Sequence, residues 1–132
     1  MKEPQRILYV EDEADIRVIA EIALEVVGGF TLVSCASGPE AVAAASRAKP
    51  DLLLLDMMMP GMDGLTTLAA LRAIPETAHT PVIFMTAKVQ SSEIANFKAA
   101  GALDVISKPF DPMALAQQIR SICARHEATP AS

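Results

Sequence analysis

The sequence has no tryptophan, one tyrosine, four phenylalanines and only two cysteines among its 132 residues. Cys35 and Cys123 are far apart and do not have the spacing of metal ligands, which argues against a disulfide-stapled or zinc-based fold. The two thiols are therefore predicted to be reduced and buried, as in a protein of a reducing compartment. A cytoplasmic location is the corresponding expectation.

Long apolar runs and basic stretches are also missing. The apolar run at residues 7–10 is followed at once by acidic residues, so neither a signal peptide nor a membrane span is predicted. Eleven basic residues against sixteen acidic ones give a net charge of -5, and there is no basic stripe. Direct binding to nucleic acid is therefore not predicted. The length predicts one domain and leaves no room for a second.

Short apolar runs alternate along the chain with longer segments of helical period. This alternation predicts an α/β fold in which helices cover both faces of a parallel sheet. The second predicted strand is the least apolar and is expected at an edge of the sheet. The predicted strands are residues 6–10, 31–35, 52–55, 82–86 and 103–107. In the first helix, the residues predicted to face the core are Ile16, Ile19, Ala23 and Val26, and the polar stripe is Arg17, Glu21 and Glu25.

Chemically useful side chains follow four of the predicted strands. Taken singly, each has a structural explanation: Asp56 could cap a helix or form a turn, Thr86 could be an ordinary strand residue, and Lys108 could be a surface cation. Glu11 and Asp12 could simply solvate a loop. Because parallel strands end at the same edge of a sheet, however, all five residues are expected to lie near one another.

Three clustered carboxylates would repel one another unless they shared a cation. A hard divalent ion, Mg²⁺ with Mn²⁺ as the alternative, suits oxygen ligands and leaves a coordination position for a phosphate. Asp12 and Asp56 are the predicted direct ligands and Glu11 an outer one. With the metal and Lys108 neutralising phosphate oxygens, the Asp56 carboxylate could attack phosphorus.

These residues occur in motifs that resemble the receiver domain of two-component response regulators, in particular the stand-alone, chemotaxis-regulator-like type. The motifs are Val10-Glu11-Asp12-Glu13, residues 56–64 (DMMMPGMDG), Met85-Thr86-Ala87 and Ser107-Lys108-Pro109-Phe110. The resemblance covers about residues 5–125 and leaves residues 126–132 as a short flexible tail. It is specific because several separate motifs occur in the right order at strand ends.

The resemblance implies a flavodoxin-like (βα)5 doubly wound sheet of strand order 2-1-3-4-5. It also implies that a histidine kinase or a histidine phosphotransfer protein supplies a phosphoryl group, with Mg²⁺ as cofactor. By resemblance, Asp56 is the phospho-acceptor, Glu11 and Asp12 are the acidic metal pair, and the backbone carbonyl of Met58 is the third protein ligand. Thr86 and Lys108 are the phosphate-sensing pair, and Lys108-Pro109 is expected to be a cis peptide.

The chain departs from the family pattern at Val105, where many receivers have a tyrosine or phenylalanine that moves inward on phosphorylation. Valine has a single χ1 and no polar tip, so this switch is missing. One hypothesis is that Thr86 and the loop after it shift the fourth helix. The face that would change is formed by Val89, Ile94, Phe97 and Val105. The other hypothesis is a relay that passes phosphate onward with little conformational change.

Two positions are expected to affect how readily water reaches the phosphoaspartate, Met58 and Lys88, although Lys88 could be only a solvated charge. A downstream effector is expected to bind the face of the fourth helix, fifth strand and fifth helix, and the protein is expected to be a monomer or weak dimer.

Two other functional interpretations stay open. One is a scaffold that binds partners without phosphorylation, and the other is a Mg²⁺-dependent phosphohydrolase, which would lack a second aspartate at position 58 as general acid. The leading interpretation is not an enzyme with an external substrate.

Overall fold

The computed structural model describes residues 4–87 and 91–128 and contains a five-stranded parallel sheet. The strands are β1 (Arg6–Val10), β2 (Thr31–Cys35), β3 (Leu52–Asp56), β4 (Val82–Thr86) and β5 (Ala102–Ser107). Their order is β2-β1-β3-β4-β5, which confirms the predicted flavodoxin-like topology. The least apolar strand, β2, lies at an edge of the sheet, also as predicted.

Helices connect the strands and cover both faces of the sheet. They are α1 (Ala14–Glu21), which continues as a π-helix (Ile22–Val27), α2 (Gly38–Ala48), α3 (Gly64–Arg72), α4 (Ser91–Ala99) and α5 (Leu115–Ala128), with a 3₁₀ helix (Pro75–Thr77) after α3. Helix α5 includes residues 126–128, which the sequence pattern assigned to the tail. Within the described residues, no helix combines the length and the apolarity needed to span a membrane.

Two hydrophobic cores lie on opposite faces of the sheet. Helices α1 and α5 enclose one core, which contains Leu54 and Cys123, and α2 and α3 enclose the other, which contains Leu53 and Cys35. Both cysteines are buried and neither forms a disulfide bond, as predicted. Strand β3 is covered on both faces and every residue in it is buried. Its last residue, Asp56, is therefore held by a rigid support.

Helix α1 packs on the sheet through a narrower set of residues than its sequence pattern predicts. Its buried residues are Ala20, with Ala23 and Leu24 in the π-helical continuation. Ile19 and Val26, which were predicted to face the core, are 45% and 77% exposed, so the prediction was wrong at these two positions. The small alanines allow close approach to the sheet, and the wider π-helical turn that begins at Ile22 changes which residues face the sheet from there on, which accounts for Val26.

Candidate functional site

The carboxyl ends of the strands bring the predicted site residues to one edge of the sheet. Carboxylate oxygens of Glu11, Asp12 and Asp56 all lie within 4.8 Å of one another. Lys108 Nζ lies 2.9 Å from Glu11 Oε1 and 3.3 Å from Asp56 Oδ1. Thr86 is the buried last residue of β4, and its carbonyl oxygen accepts a hydrogen bond of 2.9 Å from the N–H of Lys108. The acids and the lysine therefore form a single compact cluster, with Thr86 beside it.

Glu11 is fully buried and both of its carboxylate oxygens have protein partners. One accepts from Lys108 Nζ at 2.9 Å, and the other from the backbone N–H of Glu13 at 3.2 Å. Its backbone is held as well, because its N–H donates to the carbonyl of Cys35 at 3.0 Å and its carbonyl accepts from Arg17 Nη1 at 2.8 Å. These contacts make Glu11 better suited to an outer position around a metal than to direct ligation.

Asp56 has one carboxylate oxygen paired and one without a partner. Oδ1 faces Lys108 Nζ and lies 3.4 Å from the backbone N of Met58. Oδ2 is buried and has no hydrogen-bond partner among the described residues. Burial, followed by the hydrogen bond and the charge of Glu11, raises the pKa of Asp56 to about 7, although Lys108 opposes the change. An orphaned, buried carboxylate oxygen is suited to meet a cation or to act as a nucleophile.

Lys108 is the cation that this acidic cluster contains. Burial alone would lower the pKa of Lys108, but its hydrogen bonds and charge interactions with Glu11 and Asp56 raise the pKa overall, so the side chain stays charged. The Lys108-Pro109 peptide is cis, as predicted. One lysine balances only part of the charge of three carboxylates, which leaves the cluster able to accept a further cation.

The donor set fits Mg²⁺. It consists of hard oxygen atoms, with Asp12 half-buried at the rim and Asp56 Oδ2 unpaired within the cluster. If the ion is present, Asp12 and Asp56 are the residues that would hold it directly. The role of the Met58 carbonyl as a third ligand stays a prediction.

The family model described as "Response regulator receiver domain" matches residues 7–120. The chain belongs to the response-regulator receiver family. Among solved structures, the receiver is similar to chemotaxis protein CheY4 of Vibrio cholerae, with 29% identity, a TM-score of 0.82, and coverage of 89% of this chain and 98% of that one. It is also similar to a putative response regulator from Chloroflexus aurantiacus J-10-fl, with 31% identity, a TM-score of 0.77, and coverage of 92% and 99%.

Curated relatives of the receiver are longer proteins. Response regulator PleD of Caulobacter vibrioides is 39% identical over 119 residues, which cover 89% of this chain and 26% of PleD. DNA-binding response regulator MtrA of Mycobacterium tuberculosis is 36% identical over 127 residues, covering 96% of this chain and 54% of MtrA. The chain thus spans about a quarter to a half of the length of these relatives.

The methionine-rich loop after Asp56 is mostly structural in this receiver. Met57 and Met59 are buried in the core enclosed by α2 and α3, whereas Met58 is 66% exposed at the site. The loop ends at Gly64, whose N–H donates to the Met57 carbonyl at 3.0 Å. A Cβ on Gly64 would lie 2.7 Å from the Asp56 carbonyl oxygen and 2.9 Å from Met57 Cα. Only glycine allows this close approach of the loop to the end of β3.

Gly64→Ala is expected to destabilise the receiver by about 2 kcal/mol and, if Asp56 is a phosphorylation site, to slow its phosphorylation, because the added Cβ must displace backbone next to Asp56. Gly29→Ala is the control. Gly29 has a φ of 76° and open space around its Cβ position, so alanine there adds backbone strain of about 1–2 kcal/mol remote from the site. Chemical denaturation should show similar losses of stability in the two variants, whereas equal phosphorylation rates in the two variants would contradict the prediction.

The residues predicted to transmit a signal are connected to Thr86 through one aromatic side chain. Phe84 lies two residues before Thr86 on β4, and its ring centroid is 5.6 Å from that of Phe97 on α4. Phe84 is also the register partner of Val105 on β5. Phe97 and Val105 are partly buried against the same core. Lys88 and Val89, which were also predicted to take part, lie outside the described residues.

Among the residues that the structure describes, two clefts adjoin the site on opposite sides. One, of about 390 Å³, is mainly apolar and reaches Lys108 from the α1 side. Its lining residues are Glu13, Ile16, Ile19, Ala87, Lys108, Pro109, Phe110 and Pro112. The other, of about 330 Å³, lies between Met58, Thr86 and α4. The site is therefore approachable from the α1 side and from the α4 side.

Two residues next to the site were not predicted from the sequence. Arg17 was assigned to a polar stripe, yet its guanidinium contacts the Glu11 carbonyl. Tyr9 was treated only as a strand residue. Its hydroxyl is buried without a hydrogen-bond partner among the described residues, and burial together with the charges of Glu11 and Asp56 raises the pKa of Tyr9. A cation in the first turn of a helix, where the helix dipole disfavours it, was the one signal that pointed to Arg17.

Proposed function

We propose that this receiver accepts a phosphoryl group on Asp56 from a histidine kinase or a histidine phosphotransfer protein, with Mg²⁺, or alternatively Mn²⁺, as cofactor. It would act as a phosphorylation-dependent switch or as a relay intermediate. The observation that carries the proposal is the unpaired, buried Oδ2 of Asp56, which lies within a cluster of three carboxylates and one lysine. A cytoplasmic location belongs to the same proposal.

In the proposed transfer, a carboxylate oxygen of Asp56 forms a bond to phosphorus while the bond between phosphorus and the histidine nitrogen breaks. The electron pair of the broken bond returns to the imidazole nitrogen. Bound Mg²⁺ supplies charge neutralisation for the phosphoryl oxygens. Lys108 and Thr86 hold the remaining oxygens and orient the group. The chain would catalyse only its own phosphorylation and dephosphorylation, without turnover of an external substrate.

Receivers of this family interact with histidine kinases and with effectors. The apolar cleft beside Lys108 gives a protein phosphodonor side chains to pack against next to the site. For output, the proposed surface is the face of α4, β5 and α5. An ion pair of 3.0 Å between Arg125 Nη2 and Asp104 Oδ2 links β5 to α5 on this face. DNA binding is a property of the relative MtrA, and the expectation here is a protein effector and no direct contact with nucleic acid.

The test is to incubate the protein with Mg²⁺ and acetyl phosphate and to look for an added phosphoryl group by intact-protein mass spectrometry. The group should be stable in acid, labile in base, absent from Asp56→Asn and retained in Asp15→Asn, which changes an exposed aspartate of α1. A wild-type protein that takes up no label would favour the phosphorylation-independent scaffold. Turnover of added phosphoesters would favour the phosphohydrolase.

Met58→Asn is expected to shorten the lifetime of the phosphoaspartate severalfold. The Met58 side chain is long and apolar and lies at the mouth of the site, where it obstructs the approach of water to phosphorus. Met113→Asn is the matched control, because Met113 is similarly exposed, at 74%, but is not part of the cleft beside Thr86. Loss of label after removal of the phosphodonor gives the rate, and equal lifetimes in the wild type and Met58→Asn would refute the prediction.

The receiver would transmit its state through Thr86, Phe84 and Phe97, since these residues connect the site to α4 in the absence of an aromatic at position 105. Beryllofluoride is expected to change the NMR chemical shifts of Phe97 and Val105 as well as those of the acidic cluster. Changes confined to the acidic cluster would contradict this route and favour the relay.

A further inference from the structure

We infer that Arg17 is a positioning residue for the metal site, and that it acts by fixing the peptide group between Glu11 and Asp12. The inference rests on the proposed function in one respect, because it takes Mg²⁺ as the ion that these acids bind. Its physical basis is a single long-range contact, in which Arg17 Nη1 on α1 donates to the Glu11 carbonyl at the end of β1 at 2.8 Å.

Arg17 donates to a backbone carbonyl and not to a carboxylate. Arg17 lies in the first turn of α1 and its own backbone N–H donates to the Glu13 carbonyl at 2.9 Å. A cation at this end of a helix is disfavoured by the helix dipole. Acidic side chains surround it in the sequence, yet within residues 4–87 and 91–128 no carboxylate lies at ion-pair distance from the guanidinium. Arg17, which is half-buried, therefore donates to a neutral carbonyl group although carboxylates are close in the chain.

The hydrogen bond from Arg17 to the Glu11 carbonyl completes the contacts that hold Glu11. Its N–H is bound by Cys35 and its carboxylate by Lys108 and Glu13. The next residue, Asp12, has no such support, since none of the described residues donates a hydrogen bond to its carboxylate. The orientation of Asp12 therefore depends on the peptide that precedes it. Arg17 fixes that peptide.

Partners that orient metal ligands from outside the coordination sphere typically contribute about 10- to 100-fold to metal affinity. A bare positive charge at the same place would have the opposite effect, because it would repel the incoming Mg²⁺. The two roles therefore predict effects of opposite sign. Removing the guanidinium weakens Mg²⁺ binding if Arg17 positions Asp12, and strengthens it if Arg17 is only a nearby charge.

The experiment compares Arg17→Met, Arg17→Lys and the wild type in titrations with Mg²⁺ alone. Tyr9 is the only tyrosine and there is no tryptophan, so intrinsic fluorescence reports directly from β1, beside the acids. The rise of the melting temperature with Mg²⁺ is a second readout. The control is Arg120→Met, because Arg120 also donates to a backbone carbonyl, that of Gly28, but does so away from the acids and also stacks on Phe30.

The expected result is a Mg²⁺ dissociation constant about 10-fold higher in Arg17→Met and an unchanged one in Arg120→Met, even if both variants lose similar stability without metal. An unchanged or lower constant in Arg17→Met overturns the inference. If Arg17→Met does not fold, Arg17→Lys is the deciding variant, because it keeps the positive charge but loses the planar guanidinium. Weaker Mg²⁺ binding in Arg17→Lys supports the positioning role, and Mg²⁺ binding equal to that of the wild type overturns the inference. If the wild type binds no Mg²⁺, both the inference about Arg17 and the proposal that Mg²⁺ is the cofactor are overturned. If the wild type binds Mg²⁺, the comparison of the variants tests only the role of Arg17.

Discussion

Asp56→Asn is expected to raise the free energy of unfolding of the metal-free protein by about 2 kcal/mol at about pH 8, although it abolishes phosphorylation. Burial and Glu11 raise the pKa of Asp56 to about 7, so the ionised carboxylate is less favourable in the folded chain than in the unfolded one. A raised pKa contributes stability at low pH that is lost as the pH rises through the folded-state value. Asparagine has nearly the same shape as aspartate but carries no charge, so the Asp56→Asn protein does not lose this stability as the pH rises.

Urea unfolding of the two proteins without divalent ions measures the difference. The difference should shrink towards about pH 4, where the folded carboxyl is protonated. Asp63→Asn is the control with the opposite sign, because a hydrogen bond from the Thr66 N–H lowers the pKa of Asp63, which caps α3. An Asp56→Asn protein that is equally or less stable than the wild type at about pH 8 would contradict the prediction.

The positions of the strand ends, and the side chains found there, could be predicted from the sequence because they follow from the properties of parallel sheets. Parallel strands are buried on both faces and so read as short apolar runs, and their carboxyl ends share an edge. Leu52–Asp56 is a clear case, since four buried leucines lead to a single carboxylate. The close grouping of Glu11, Asp12, Asp56 and Lys108 follows from this rule without any knowledge of side-chain contacts.

Helix α1 shows where sequence pattern is insufficient. A period of 3.6 residues assigned Val26 to the core, but the change to a π-helix at Ile22 alters the period, and no local feature of the sequence predicts that change. Ile19 lies before the π-helix, and the sequence pattern does not explain its exposure. The contact between Arg17 and the Glu11 carbonyl was equally hidden. It depends on the distance between α1 and the end of β1, which the packing of Ala20 and its neighbours decides. Local patterns predict elements well, but they do not predict the contacts that packing creates.

Lys108→Met is expected to have the opposite effect from Asp56→Asn and to destabilise the metal-free protein by about 3 kcal/mol, because it leaves buried carboxylates without their cation. The Lys108 side chain is 14% exposed and pairs with both Glu11 and Asp56. Phosphorylation by acetyl phosphate should slow on the order of 100-fold, since one donor to the phosphoryl oxygens is removed. Urea unfolding and labelling rates measure the two effects.

Added Mg²⁺ should recover much of the stability lost in Lys108→Met, because the ion replaces the missing positive charge among the acids. It should not recover the labelling rate, since the ion cannot take the position of the lysine. In an Asp56→Asn background, Lys108→Met should cost clearly less than in the wild type, because one of its two carboxylate partners is already neutral. Additive effects of the two substitutions would mean that Lys108 and Asp56 do not interact in the folded protein, and would remove the electrostatic basis of the proposed site.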